Sequence, residues 1–210
     1  MTPTNPNRRA EIIDAAERRF ASQGYLQTSV SEIIGDAGIA KGTFYHYFQS
    51  KESVMYAVID KNITLLKDQV ESYMAESTQP PLDQFTMILG GGFAPRRPET
   101  TAISTELEQD GNELMHMRAI DATINALIPP LADLLGRATA SGDIDCPNPN
   151  IAAAAILVLS AQLLDRDLLG WVKIRDIATI RNFGGVAERV IGAPTGTFAP
   201  IVDSFVASMP

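Results

Sequence analysis

The sequence has few of the residues that build disulfide frameworks and metal sites, and it has no long apolar run. Its 210 residues include one cysteine, two histidines and one tryptophan. The single cysteine, Cys146, excludes an internal disulfide framework and suits a reducing compartment, which predicts a cytoplasmic protein. The longest apolar run, Ile151–Ala161, is shorter than the roughly 20 residues that a membrane helix needs. We therefore expect no membrane partner.

The sequence also lacks the motifs of common enzymes. It contains no G-x-S-x-G nucleophile motif, no glycine-rich phosphate loop and no cysteine–histidine arrangement. Glu113 and His116 have the spacing of half a carboxylate-bridged metal site, but no second such pair is evident. We expect no catalytic residues, no metal and no cofactor. A helical metal-binding or enzymatic protein with a vestigial head stays open as an alternative.

Acidic residues outnumber basic ones overall, but not near the amino end. The formal net charge is −8, with 17 Lys and Arg against 25 Asp and Glu. Residues 1–51 carry six basic and five acidic residues, whereas the remainder carries eleven and twenty. A contact with nucleic acid is therefore expected in the first quarter of the chain.

Two short helical patterns meet within residues 28–52, around Ala37-Gly38-Ile39. Gly38 can adopt the positive φ of a sharp turn between helices, and apolar Ile33, Ala37 and Ile39 let one helix lie across the next. The second pattern is rich in hydrogen-bond donors and aromatic residues. A protein core needs few such groups, whereas a DNA backbone can use all of them. The arrangement predicts a helix-turn-helix.

Three consecutive residues at the start of the second pattern are candidates for contact with DNA. Lys41 can donate to guanine O6 or N7 in the major groove. Gly42 has no side chain and allows close approach, and Thr43 can offer a methyl group to thymine or a hydroxyl to phosphate. The apolar rings of Phe44 and Phe48 are expected in the core.

The order of these motifs resembles the DNA-binding domain of the TetR (tetracycline repressor) family of bacterial regulators. The family's lysine-glycine-threonine, aromatic pair and serine-lysine-glutamate are matched over Lys41–Glu52. Its first helix is matched by Ala10–Gly24, and the start of its second helix by Thr28-Ser29-Val30. In one departure, Ala40 stands where the family commonly has serine, so the third helix lacks a side-chain cap.

The resemblance implies further contacts with the phosphate backbone, from the start of the second helix and from the end of the third. The residues concerned are Thr28, Ser29, Tyr45, Tyr47 and Lys51, and His46 lies among them without an assigned role. Plain helix capping by Thr28 and Ser29 stays open, as does core packing of Tyr45.

Beyond Ser50, apolar spacing predicts further helices separated by proline and glycine breaks. They are expected from Ser50 to about Ser77 and over Leu82–Leu89, Glu99–Gln109, Asn112–Ala140, Asn150–Leu169, Lys173–Ile191 and Ile201–Ser208. The fold class is therefore all-α, with a three-helix head joined by a long helix to a C-terminal helical bundle. We place a DNA-binding domain at residues 1–50 and a ligand-binding and dimerisation domain at residues 51–210.

The family resemblance also implies that the body binds a small-molecule effector and that its last two long helices pair with a second copy. Apolar and methionine side chains could line an adaptable cavity, although plain core packing is the alternative. The apolar candidates are Phe85, Leu89, Phe93, Met115, Met117, Ile120, Ile124 and Trp171, with His116, Arg118 and Thr123 as polar anchors.

Together these patterns predict a homodimeric transcriptional repressor that an inducer releases from a palindromic operator in double-stranded DNA. A DNA-binding regulator that has no ligand, or one that activates transcription, stays open.

Overall fold

Helices and short turns make up the part of the chain that the structure describes. The computed structural model covers residues 6–94, 97–109, 111–164 and 177–207, and no strand occurs in these ranges. The predicted all-α class is confirmed. In chain order the helices are α1 (Pro6–Gln23), α2 (Val30–Asp36), α3 (Lys41–Tyr47), α4 (Lys51–Glu76), α5 (Pro81–Leu89), α6 (Pro98–Leu107), α7 (Glu113–Ser141), α8 (Pro149–Leu164), α9 (Ile177–Ile191) and α10 (Ala199–Ala207).

Local sequence signals account for most of the helix ends. Ser50 caps α4, since its hydroxyl oxygen accepts from the Ser53 N–H at 3.1 Å. Prolines open α5 and α6, where a missing N–H costs nothing, so each begins one residue before its predicted start. Gly90 ends α5 as predicted.

The described residues form two compact units. The head unit contains residues up to Leu66 and those from 97 to Ala122, and the body unit contains residues 67–94 and those from Thr123 onward. Packing therefore does not break at residue 50, the predicted boundary. The reason is that α1 packs against α6, while the first turns of α4 supply Val54 and Met55 to the head core.

The head core is built from one face of each of its helices. Its fully buried side chains come from α1, α2, α3 and α4, and α6 adds two more that are nearly buried. They include Ile12, Ala16, Phe20, Ile33, Phe44, Val54, Met55, Val58, Ile103 and Leu107. The predicted core positions of Phe44 and Phe48 are confirmed, at 0% and 4% exposure.

The body unit packs α9 against both α8 and α10. Within α7, Leu131, Leu134 and Leu135 are buried, and Pro129 and Pro130 lie inside the helix immediately before them. Proline has no N–H, so neither of these residues can donate to the carbonyl four positions before it. Both prolines line a cleft, described below.

Candidate nucleic-acid interface

The start of α2 is fixed by a reciprocal capping box. The Ser29 hydroxyl accepts from the Glu32 N–H, and the Glu32 carboxylate accepts from the Ser29 N–H at 2.8 Å. This confirms the predicted start of the second helix. The hydrogen bonds from Ser29, first from its backbone and then from its hydroxyl, lower the pKa of Glu32. Ser29 itself is exposed, so its position suits a contact with an approaching anion.

Thr28 has a different role from its neighbour. Its side chain is buried, donates to the Gly24 carbonyl at 2.7 Å and lies 3.3 Å from the Gln23 amide nitrogen. A hydroxyl held in this way ties the end of α1 to the start of α2. The expected phosphate contact from the Thr28 side chain does not agree with this geometry, because burial and two internal partners keep the hydroxyl from the surface.

The turn between α2 and α3 has the predicted geometry. Gly38 has a φ of 61°, and its N–H donates to the Gly35 carbonyl at 3.1 Å. The Ile33 side chain beneath the turn is fully buried. Arg19 of α1 donates to both carboxylate oxygens of Asp36, at 2.5 and 2.7 Å, which clamps the last turn of α2. This hydrogen bonding raises the pKa of Arg19 and lowers that of Asp36.

The first turn of α3 presents an open surface. Lys41 and Gly42 are exposed, and Thr43 is half-buried. Ala40 precedes the helix with extended backbone angles and makes no side-chain capping bond, as the sequence predicts. A methyl group placed on Gly42 would meet no other atom within 4 Å. The packing of the head unit therefore does not require glycine at this position.

The aromatic residues of α3 divide between surface and core. Tyr45 is 48% exposed and its ring meets the edge of Phe44 at 5.3 Å, so it is not a core residue. The His46 side chain is exposed and its ring contacts that of Tyr47 at 5.0 Å. Tyr47 is half-buried and packs against the head core. Tyr45 and His46 are thus exposed on the same short helix as Lys41.

Lys51 turns inward instead of facing that surface. Its ammonium donates to the carbonyls of Tyr25, Leu26 and Thr28, at 2.6, 3.3 and 2.8 Å, and lies 4.3 Å from the centre of the Tyr25 ring. A lysine ammonium has three donors, and all three are used. Burial lowers the pKa of Lys51. Its donors are thus occupied inside the head unit, and the phosphate contact that the resemblance implies for Lys51 stays a prediction.

The predicted ligand residues are distributed over both units. Met115, His116, Arg118 and Ile120 lie in the head unit, where the Arg118 guanidinium is 4.3 Å from the centre of the Tyr56 ring. The body unit contains five more, which are Phe85, Leu89, Phe93, Thr123 and Ile124. Trp171 lies outside the described residues.

Within the body unit, burial separates the predicted residues further. Phe85 is fully buried and its ring packs against Phe198 at 6.1 Å, which makes it a core residue. Phe93 is half-buried, contacts the Tyr73 ring at 5.9 Å and lines an open cleft of about 530 Å³.

A second cleft, which the sequence reasoning missed, lies between α4 and α7 in the body unit. Its volume is about 420 Å³, and it is lined by Lys67, Glu71, Met74, Asn125, Ala126, Pro129 and Pro130. The sequence signal near this cleft is the proline pair inside α7, which by itself predicts only a kink in the helix. In the described ranges, no cluster of three or more His, Cys, Asp or Glu side chains could hold a metal, and no helix could span a membrane.

Comparison with known proteins agrees with the geometry of the head unit. The family model for bacterial regulatory proteins of the tetR family matches residues 12–58, which hold α2, α3 and parts of α1 and α4. The chain carries a TetR-family DNA-binding domain.

Individual TetR-family proteins are similar over different lengths. The fatty acid metabolism regulator protein of Bacillus subtilis is 27% identical over 64% of this chain and 69% of that protein. The transcriptional repressor KstR2 of Mycolicibacterium smegmatis is 32% identical, and the match spans 44% of this chain and 45% of that protein. A solved structure from Mesorhizobium loti, classed with TetR-family transcriptional regulators, is 20% identical, covers 98% of both chains and has a TM-score of 0.62.

The solved structure covers 98% of this chain and so shares its fold. The chain is accordingly a DNA-binding transcriptional regulator with a TetR-family DNA-binding domain.

Proposed function

We propose that the protein is a homodimeric repressor that binds a palindromic operator through α3 and leaves it when a small-molecule effector binds the body unit. The observation that carries this proposal is the empty space around Gly42 at the exposed start of α3. The named role of KstR2 as a repressor supports the direction of regulation. A regulator that acts on chromosomal DNA works in the bacterial cytoplasm, and we place it there.

Gly42 has no structural reason to be glycine. Glycine inside a helix is about 1 kcal/mol less favourable than alanine, and α3 is only 7 residues long. No atom within 4 Å would obstruct a methyl group, and φ is not in the left-handed region. A missing side chain on an exposed helix start is useful when another molecule approaches the backbone closely. A DNA major groove is such a partner for a helix-turn-helix.

The neighbouring residues supply the contacts that this approach would allow. Lys41 is placed to donate to guanine, and Thr43 to contact thymine or phosphate. Tyr45 and His46 expose hydrogen-bonding groups on the same short helix, and the Ser29 cap offers a further site for phosphate. Tyr47 is half-buried, so we expect it to contact the phosphate backbone of DNA only through its hydroxyl. Thr28 and Lys51 are removed from this set because their side chains are held internally.

The apolar surface of α8 and α9 supports pairing with a second copy. Ile151 and Val158 are spaced by two helical turns on α8 and are 67% and 45% exposed. Val186 and Val190 are one turn apart on α9, and each is 37% exposed. Apolar stripes of this kind are costly in water unless another surface covers them. Pairing would let two α3 helices enter successive major grooves, roughly 34–36 Å apart.

The cleft between α4 and α7 supports an effector site in the body unit. Its volume of about 420 Å³ suits a small molecule, and its lining combines Met74 and two prolines with the charged Lys67 and Glu71. An effector acts by binding more tightly to the conformation that fits the operator poorly. A ligand-free regulator or an activator would instead show no effector-dependent release.

The role of α3 is tested with Gly42→Ala in the full-length protein. Alanine should raise the free energy of unfolding by about 1 kcal/mol, because helix propensity improves and nothing clashes. It should nevertheless weaken binding to a duplex that the wild-type protein enriches from a random-sequence library. The matched control is Gly35→Ala in α2, another helical glycine with nothing within 4 Å, which should be stabilised without losing that duplex.

Fluorescence anisotropy with the enriched duplex and with a scrambled one measures both variants. If Gly42→Ala bound the enriched duplex as tightly as the wild type does, α3 would not be the helix that approaches DNA. A wild-type protein that enriches no sequence would refute operator binding altogether.

A further inference from the structure

The chain segment that leads from α1 into α2 is held by two charged side chains from other helices of the head unit. Glu106 of α6 binds the backbone N–H of Tyr25, and Lys51 of α4 binds the carbonyl of the same residue. We propose that Glu106 and Lys51 are positioning residues for operator binding, which fix the path of residues 24–28 and thereby the placement of α2 and α3. The inference rests on the proposed function.

Glu106 binds the chain just beyond the end of α1. Its Oε1 accepts from the Tyr25 N–H at 2.6 Å, although the two residues are 81 positions apart in the sequence. The side chain is buried, with 7% of the residue exposed. Asn112 donates to the Glu106 backbone carbonyl at 2.8 Å, which holds the last turn of α6 in place.

The segment is shaped to receive this carboxylate. Gly24 has a φ of 90°, and a methyl group there would lie only 3.0 Å from Glu106 Oε2. Glycine therefore serves both the backbone conformation and the close approach of Glu106. The surroundings of Gly24 therefore explain why this residue is glycine, whereas those of Gly42 do not.

Lys51 binds the same segment through its backbone carbonyls. Its three donors reach the carbonyls of Tyr25, Leu26 and Thr28, so it fixes the segment up to the residue before the Ser29 cap. Placing a carboxyl group and an ammonium group where Glu106 is buried and Lys51 is partly buried is unfavourable unless both are well bonded. Apolar residues would fill the same space at no such cost. The use of the charged Glu106 and Lys51 instead indicates that the path of residues 24–28 is specified more tightly than core packing alone would achieve.

The contact made by Glu106 is tested first without DNA. Hydrogen exchange measured by NMR on the full-length protein reports the Tyr25 amide directly. Glu106→Ala should accelerate exchange at Tyr25 by about tenfold or more, relative to amides in the middle of α1. Glu106→Gln should restore most of the protection, because the amide oxygen can still accept from Tyr25. Unchanged exchange at Tyr25 in Glu106→Ala would overturn the inference.

If Glu106→Ala does not fold, Glu106→Asp provides the same test. It keeps the charge but withdraws the carboxylate by one methylene group from Tyr25. The control for loss of a carboxylate is Asp60→Asn on the exposed side of α4, which should leave Tyr25 exchange unchanged.

Binding to the enriched duplex tests the consequence for DNA. Glu106→Ala and Lys51→Met should each weaken this binding by about tenfold at equal folded fraction, whereas Glu106→Gln and Asp60→Asn should stay within about twofold of the wild type. The salt dependence distinguishes positioning from a phosphate contact for Lys51. Positioning leaves the slope of log K against log salt unchanged, whereas loss of one phosphate contact per head reduces its magnitude by about two per dimer.

Two outcomes would overturn the inference while leaving the proposed function intact. One is wild-type affinity in both Glu106→Ala and Lys51→Met, and the other is a flatter salt slope in Lys51→Met. Failure of the wild-type protein to enrich any duplex would instead refute the proposed function and the DNA part of this inference together. The Tyr25 exchange measurement would still decide the contact itself.

Discussion

The ion pair between α1 and α4 gives the sharpest prediction about the stability of the head unit. Lys61 of α4 donates to Asp14 at 2.6 Å and to Glu17 at 2.7 Å. The Glu17 side chain is only 4% exposed, and its Oε1 atom is buried without a hydrogen-bond partner in the described structure. Burial lowers the pKa of Lys61, but the hydrogen bonds to Asp14 and Glu17 outweigh it, so the net pKa is raised. Lys61 therefore satisfies a carboxylate that water cannot readily reach.

Replacing Lys61 with methionine should be strongly destabilising. It leaves the Glu17 carboxylate buried and unpaired, and breaking a buried pair in this way costs about 3–5 kcal/mol. Because the Lys61 side chain is 29% exposed, some water can replace it, and we expect about 3 kcal/mol. Asp14→Asn should cost less than about 1 kcal/mol, since the Asp14 side chain is 48% exposed.

The double variant Glu17→Met, Lys61→Met separates burial of a lone charge from loss of packing. It removes both charges and fills similar volume, so its free energy of unfolding should lie within about 1 kcal/mol of the wild type. Urea-induced unfolding, followed by circular dichroism, measures all four proteins. The reasoning would be refuted if the double variant were as unstable as Lys61→Met, or if Lys61→Met lost less than about 1 kcal/mol.

Three further predictions concern the head unit. Ala40→Ser should raise the free energy of unfolding by about 1 kcal/mol, because the position already has N-cap geometry and lacks only the hydroxyl; chemical denaturation checks this. The hydrogen bond from Arg19 lowers the pKa of Asp36 below 3.8. The contribution of this Arg19–Asp36 interaction to stability is therefore complete above pH 3.8 and is lost as the pH falls through the lowered pKa. The stability difference between wild type and Asp36→Asn should thus shrink in acid denaturation below pH 3.8, and a constant difference would contradict it. Gly24→Ala should cost roughly 2 kcal/mol, since it combines a positive φ with a clash against Glu106, and a thermal unfolding temperature equal to that of the wild type would contradict both causes.

The parts of the fold that the sequence predicts well are those set by neighbouring residues. The Ser29 capping box, the Gly38 turn and the proline starts of α5 and α6 each depend on a few consecutive residues. The helix-turn-helix was recognisable for the same reason, since its helices, its turn and its exposed donors all fall within residues 28–52. Periodicity then indicates which face of each helix is buried.

What the sequence does not reveal is which distant group a polar side chain meets. Lys51 has the spacing of a phosphate-binding residue, but its partners are carbonyls 23–26 positions earlier, and backbone acceptors leave no trace in the sequence. Glu106 appears only as one acidic residue of a weakly patterned helix, although it binds Tyr25.

Periodicity has a related limit for the predicted ligand residues. It identifies apolar faces but cannot distinguish a cavity wall from a filled core, as Phe85 against Phe198 illustrates. The same is true of the prolines of α7, which the sequence marks as a kink in the helix but not as part of a cleft.

The internal use of charge in the head unit has a consequence for how tightly one copy can bind DNA. Of the six basic residues in residues 1–51, Arg19 and Lys51 are held by internal partners, and Arg8 pairs with Glu11 at 2.8 Å. Lys41 is exposed at the start of α3, but five acidic residues in the same segment oppose the field of these cations. Non-specific affinity scales with the number of phosphates neutralised, so a single head should bind random duplex weakly. Affinity for an operator must then come from base contacts made by two heads at once, which requires that the placement of each α3 be fixed before binding.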